Sequence, residues 1–417
     1  MKHVKATDLR AAATLATQAT HGVAHIAEGV HQSVWSTLGV PAAAPGRTRG
    51  LTGFVYHAVH GVTELVGKGL QAGFLRLEPL LEQLVDAPPD TPQREAILAA
   101  LNGVMGDRLA DGHNPLATPM TLRVDGQVLA LRPGMPVKDA SDRILLLIHG
   151  LCMNDLQWRT PTVGGAAAAL PEDHWQTLAI ERGYTPVYLR YNSGRHISHN
   201  GQELAGILDP LLASWPTPVR ELSIVAHSMG GLITRSALHT AQQGGDRQWP
   251  GRLKSVFLLG TPHHGAPLER AGNWIDMLLG STPFSAPFAR LAQLRSAGIT
   301  DLRYGYTVDA DWQGRDRFRR QPDQRQPLPL SQGPVWYAIA ATTAAKRSLL
   351  ADRLLGDGLV PLRSALGQHD DPRRCLDIAA QHQHIAYRMN HIALLHSPLV
   401  TDQLRRWMAP VQKPPGV

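Results

Sequence analysis

After residue 118 the chain turns into short apolar runs separated by helical stretches. TLRVDGQVLAL at 121–131 alternates apolar and polar positions around Asp125-Gly126, which predicts a β-hairpin. RILLLIHG at 143–150, TPVYLRY at 185–191, ELSIVAHS at 221–228, KSVFLLGTP at 254–262 and PVWYAIAAT at 334–342 read as buried strands. Helical segments at about 165–182, 200–214 and 230–243 separate the first four. Strand and helix in alternation predict an α/β fold, a mostly parallel, doubly wound sheet covered on both faces. In such a sheet ligands gather at the carboxyl ends of the strands.

The first 118 residues have another texture. Val23, Ile26, Val30 and Val34 recur at helical spacing, as do Val55, Val59, Val62, Val66 and Leu70, with the Pro/Gly-rich VPAAAPGRTRGLTG between them. Two amphipathic helices folded back on each other are expected, then a shorter helix at about 93–109 behind DAPPDTP. The division predicted is an N-terminal helical region, 1–118, and a sheet-bearing domain, 119–417. Some 65 residues between GTPHHGAP and QGPVWYA, about 266–333, exceed a simple loop. GNWIDMLLG and APFARLAQL within them read as short amphipathic helices.

Bulk properties exclude some functions. Of 417 residues, 43% are hydrophobic, enough for a sizeable core. The net charge of +7 is scattered, and even the densest basic stretch, GRDRFRR, is broken by Asp316 and Phe318, so no nucleic-acid partner is expected. Cys152 and Cys375 make no disulfide framework. The first residues lack the continuous apolar core of a secretory signal, and no run spans a bilayer. A cytoplasmic location is the expectation, with peripheral contact to a lipid surface through the N-terminal helices left open.

The chemistry concentrates at strand ends. Ser228 follows an apolar run and precedes a helical one, with Ala226 and Gly230 two residues to either side. This is the small-x-Ser-x-Gly pattern of a strained strand-to-helix turn that exposes a nucleophile, with alanine for the first glycine. A serine hydroxyl needs a base, and the base an orienting carboxylate. Asp357, between two glycines in LLGDGLVPLRS, is favoured over Asp352, which fits a polar helix end. His391, just before the apolar stretch 392–395, is favoured over His382, His384 and His396. Oxyanion donors are expected from the backbone N–H groups of Met229 and Leu151, the latter after the turn at His149-Gly150. His149 and His227 beside them are candidates to touch substrate. Asn192 and Arg195, in RYNSGRHISHNGQELAGIL, are others; a basic loop there would hold an anionic group, and a turn with a helix cap explains the segment equally well. Cys152 has no paired base and reads as packing. His263 and His264 with His149 raise the question of a metal, but no carboxylate has ligand spacing, so neither metal nor cofactor is expected.

Together LIHGLCMNDLQW, AHSMGGLITR, GTPHHGAPLER, GDGLVPLRS and NHIALLHSPLV make residues 143–400 resemble the lipase and esterase branch of the α/β-hydrolases. The similarity is strongest to bacterial lipase-like hydrolases related to GPI inositol-deacylases, on the Gly-Thr-Pro-His-x-Gly segment. The resemblance implies Ser228 as nucleophile, Asp357 as acid, His391 as base, an ester or lipid substrate, and a cap over the pocket in the insertion at about 266–333, a segment that could equally just cover the sheet. An acyltransferase or thioesterase would use the same triad, and a non-catalytic binding scaffold on this fold is the reading from another class.

Overall fold

A computed structural model describes residues 92–159, 173–266, 295–317, 322–345 and 356–409. The helices expected near 21–70, the two short helices expected within 272–294, and Asp352 lie outside the described residues. The chain divides into two units, Met1–Arg94 with Leu109–Ala117, and Glu95–Arg108 with Thr118–Val417. In the first, the Asn114 N–H donates to the Leu109 carbonyl at 2.8 Å, and its Oδ1 accepts from the Leu116 N–H at 2.9 Å.

The second unit is built on eight strands: β1 Thr121–Val124, β2 Gln127–Val128, β3 Arg143–Ile148, β4 Thr185–Arg190, β5 Glu221–His227, β6 Leu253–Leu259, β7 Val335–Thr342 and β8 Gln383–Tyr387. Their order in the sheet is β2-β1-β4-β3-β5-β6-β7-β8. All neighbours from β4 to β8 run parallel, and β1 is antiparallel to both β2 and β4. This is the α/β-hydrolase fold. The β1–β2 turn has Asp125 at φ 49° and Gly126 at φ 78°, the two left-handed residues of a type I′ hairpin.

The helices are α1 Pro92–Asp111, α2 His174–Glu181, α3 Ile197–Ser214, α4 Met229–Gln243, α5 Ala297–Leu302, α6 Leu362–Ala365, α7 Ala393–His396 and α8 Pro398–Trp407. Alternate strand residues feed two cores. Ile144, Leu146, Ile224 and Val256 pack with Leu204, Leu208, Leu232 and Ile233 of α3 and α4. Leu145, Leu147, Val225 and Phe257 pack on the other face with Trp175, Leu178, Val400 and Leu404 of α2 and α8. Strands buried on both sides explain why the apolar runs are continuous rather than alternating.

The stretch after His391 gives only one short helix before Ser397, because Pro398 disfavours helical backbone in the residue ahead of it. β8 escaped the sequence reading. QHIAY is short and only Ala386 is fully buried, so it carries no apolar run.

No helix among the described residues is long and apolar enough to cross a membrane. α3 and α4 meet through Gly201, where a Cβ would stand 2.2 Å from Ser236 Oγ. Gly201→Val should therefore force the helices apart at a cost of about 1–3 kcal/mol. The measurement is a lower urea midpoint at unchanged m-value; an unmoved midpoint would mean that the contact yields freely.

Candidate active site

Ser228 sits between β5 and α4 at φ 54°, ψ −121°. Those are the angles of the first central residue of a type II′ turn, where glycine is the usual occupant. Holding a side chain there costs of order 1–3 kcal/mol. The turn is pinned by the Ser228 N–H to the Leu259 carbonyl at 2.8 Å and by the Gly231 N–H to the Ser228 carbonyl at 3.1 Å. Its neighbours must be small. Ala226 is fully buried between Ile148 and Leu258. A Cβ on Gly230 would fall 2.6 Å from the Ile148 carbonyl oxygen.

The candidate base and acid, His391 and Asp357, come from the far edge of the sheet. Asp357 follows β7, and His391 follows β8. His391 Nδ1 donates to Asp357 Oδ2 at 2.6 Å, and its backbone N–H donates to the Asp357 carbonyl at 3.1 Å. Asp357 Oδ1 accepts from the N–H groups of Leu359 and Val360 at 2.9 and 2.7 Å. Both residues are 0% exposed. With Nδ1 donating, Nε2 carries the lone pair; it is buried and finds no partner among the described residues. The Ser228 hydroxyl therefore does not bond it in this state, a common condition of sites without substrate.

Two contacts bring the serine turn and the imidazole together. The His227 ring packs on the His391 ring with centroids 4.7 Å apart, and His227 Nε2 donates to the His391 carbonyl at 3.1 Å. Gly260, next to the Leu259 that holds Ser228, lies against the same ring. A Cβ there would stand 3.1 Å from His391 Cε1. Burial, then the adjacent His391, push the His227 pKa well below its usual value, so His227 is a neutral packing partner. Gly260 is a residue that sequence reasoning missed as part of the site; its signal was its place at the end of an apolar strand, opening the Gly-Thr-Pro-His-x-Gly segment.

Leu151 and Met229 are buried, and among the described residues neither backbone N–H is donated to an acceptor. Met229 opens α4, so its N–H has no acceptor within the helix. The loop that carries Leu151 is firmly held. Asn154 caps the turn Asp155–Trp158, and Cys152 N–H donates to Ser193 Oγ at 3.0 Å. Burial pushes the Cys152 thiol up to about 12, which makes it an inert packing group.

The candidate substrate contacts fare differently. His149 stacks on Tyr191 at 4.2 Å, donates from Nδ1 to the Gly150 carbonyl at 2.8 Å, and is lowered to about 4 by burial. Asn192 spends both ends of its amide inside the fold, donating to the Gly106 carbonyl at 2.8 Å and accepting from the Gly194 N–H at 3.1 Å. Arg195 is part-exposed and pairs with Glu203 of α3. The basic loop read at 190–208 thus folds on itself. Its buried cation is Arg190, which bonds Glu95 of α1 and Asp155 of the Leu151 loop, and Arg123 lies 3.5 Å from the same Asp155. Removing one member of such a buried set typically costs 3–5 kcal/mol. This link is not legible from the residues alone, since Glu95 stands 95 positions from Arg190. Of the rival bases, His384 lies on β8 and His382 tilts against Tyr337 at 4.4 Å. Among the described residues, no group of three or more His, Cys, Asp or Glu could hold a metal ion.

A family described as a domain of unknown function (DUF7379) matches residues 119–302. No curated protein matches the chain. Among solved structures, similarity extends to the mature Bacillus licheniformis lipase BlEst2, 17% identical, covering 70% of this chain and 100% of that one at a TM-score of 0.41. Aspergillus fumigatus lipase B is 10% identical over 67% of this chain and 54% of its own, with a TM-score of 0.38. The Pyrococcus furiosus esterase Pf2001 is 12% identical over 69% and 90%, with a TM-score of 0.36.

Proposed function

We propose that the protein is a serine hydrolase that cleaves carboxylic esters through an acyl-Ser228 intermediate. The observation that carries this reading is the strained backbone of Ser228 beside a fully buried Asp357–His391 pair whose Nε2 is unspent. Ser228 Oγ attacks the ester carbonyl as His391 Nε2 takes its proton. Asp357 holds the tautomer and stabilises the imidazolium. The N–H groups of Leu151 and Met229 receive the oxyanion. His391 then protonates the departing alcohol, and water, deprotonated by the same nitrogen, releases the acid. Of the insertion at about 266–333, the described α5 packs on the loop ahead of α3: a Cβ on Gly298 would stand 2.1 Å from the Ser193 carbonyl oxygen. Within the class, the loop Gly260 to Gly265 is what points toward hydrolases related to GPI inositol-deacylases, and the lipases and esterase above do not bear on that branch.

A fluorophosphonate probe tests the reading directly. Folded protein should be labelled stoichiometrically, with the adduct on the Ser228 peptide by mass spectrometry. No labelling of folded protein, or labelling elsewhere, would sink it and revive the scaffold reading.

A further inference from the structure

Two turns along α4 from Ser228, a second cluster of polar groups lies outside the triad. Arg235, His263, His264, Asp311, Arg325 and Arg374 line a small pocket open to solvent, with exposed Gln326 at the rim. Arg325 and Arg374 share Asp323 at 2.8 and 2.9 Å, and Arg374 Nε lies 3.8 Å from Asp371. Arg235 is 7% exposed and has no carboxylate within ion-pair reach among the described residues. Its Nη2 donates to the Leu328 carbonyl at 2.7 Å, while Nε is buried without a partner. Asp311 acts on it only at a distance, because Asp311 Oδ2 accepts from the N–H groups of Thr307 and Val308 at 2.9 and 3.1 Å.

The histidines define the rest. Arg235 Nη1 stands 3.4 Å from His263 Nδ1. A guanidinium only donates, so Nδ1 is the acceptor and the ring proton sits on Nε2. That Nε2–H is buried and unanswered. The Gly367 backbone favours a proton on the other ring nitrogen of His264, so its buried Nε2, without a partner, is left as a lone pair. Burial first, then the charge of Arg235, hold His263 neutral, and Arg235, pushed down to about 10 chiefly by burial, stays cationic at neutral pH. The lining thus holds one positive charge with no carboxylate in ion-pair reach, two unspent N–H donors and one unspent acceptor, the last three buried behind the pocket surface. A buried charge left this way is costly unless something answers it.

We propose that this pocket binds a phosphate group, either the free ion or a phosphomonoester headgroup. Phosphate accepts from several donors at once and, unlike sulfate, retains a proton near neutral pH that it can give to His264 Nε2.

Equilibrium dialysis of the full chain at fixed ionic strength tests this, with inorganic phosphate, sulfate and glycerol 3-phosphate as probes. Phosphate should bind saturably at one site, and sulfate about tenfold or more weakly. Arg235→Gln should weaken phosphate about tenfold. Gln326→Glu, at an exposed rim position that does not threaten folding, should do the same by setting a carboxylate at the mouth. Glycerol 3-phosphate at least as tight as phosphate would identify a headgroup site, and its exclusion a free-ion site. Ser228→Ala should bind phosphate as tightly as the unchanged protein, so a failure of the ester reading leaves this outcome untouched. Non-saturable binding, equal affinity for sulfate, or undiminished affinity in Gln326→Glu would overturn the site.

Discussion

Ser228→Ala should lower kcat for p-nitrophenyl esters by about five to six orders of magnitude, down to the residue contributed by oxyanion donors and binding. The loss should fall on kcat with KM little changed, because Oγ is spent in bond making rather than in holding the substrate. Stability should hardly respond, since alanine keeps the Cβ and therefore the same unfavourable φ of 54°. Ser228→Gly separates the two roles. It removes the nucleophile equally, but it also removes the strain, and it should raise the unfolding free energy by about 1–3 kcal/mol less the entropic cost of a glycine. A pair of variants equally inactive but differing in melting temperature is the signature of a turn that stores strain to present a nucleophile. Substantial turnover by either variant would remove Ser228 from the chemistry. Equal melting temperatures would mean that the turn is not strained as its angles imply.

What could be read from the sequence follows from how local each feature is. β3 and β5 announce themselves because strands buried on both faces must be apolar throughout. Ser228 is legible because its constraint is set within five residues, by small neighbours at 226 and 230 that leave room for Ile148. Asp357 and His391 needed only their order and a guess at which loop turned inward; the 2.6 Å contact between them bridges 34 positions and could not be read from spacing. Charge pairing misled for the same reason. Arg195 stood in a conspicuously polar stretch, yet its partner is a nearby helix residue, Glu203, whereas Arg190 looked like part of a strand and is the buried ion. Arg235 falls in a stretch, 230–243, that reads only as helical. Only packing of the 260–265 loop and the 323–328 segment around it left its charge without an answer.

Unfolding should become much easier between pH 7.5 and 5.5, and the reason lies in buried rings rather than in carboxylates. His149, His227 and His263 are each 1% exposed or less, and burial is the leading cause that lowers all three. His149 falls from 6.5 to about 4, and the other two fall well below 6.5. A lowered histidine is neutral in the native state while its unfolded counterpart takes up a proton. Stability is therefore intact above pH 6.5, erodes as the pH drops through that value, and for His149 stops eroding near 4. At pH 5.5 each ring costs about 1.4 kcal/mol relative to neutral pH, so the three together remove roughly 4 kcal/mol. That is comparable with the whole margin of many domains. Asp301 and Asp311, raised by burial, oppose the trend, but two carboxylates against three imidazoles do not reverse its sign. Urea unfolding followed at the two pH values should show the fall, with a slope near pH 5.5 that corresponds to at least about three protons taken up per molecule unfolded, since half-buried His264, lowered to about 4 chiefly by burial, acts in the same direction. A fall below about 1 kcal/mol would mean that these rings protonate in place, and that the wall around His391 is more polar than its packing implies.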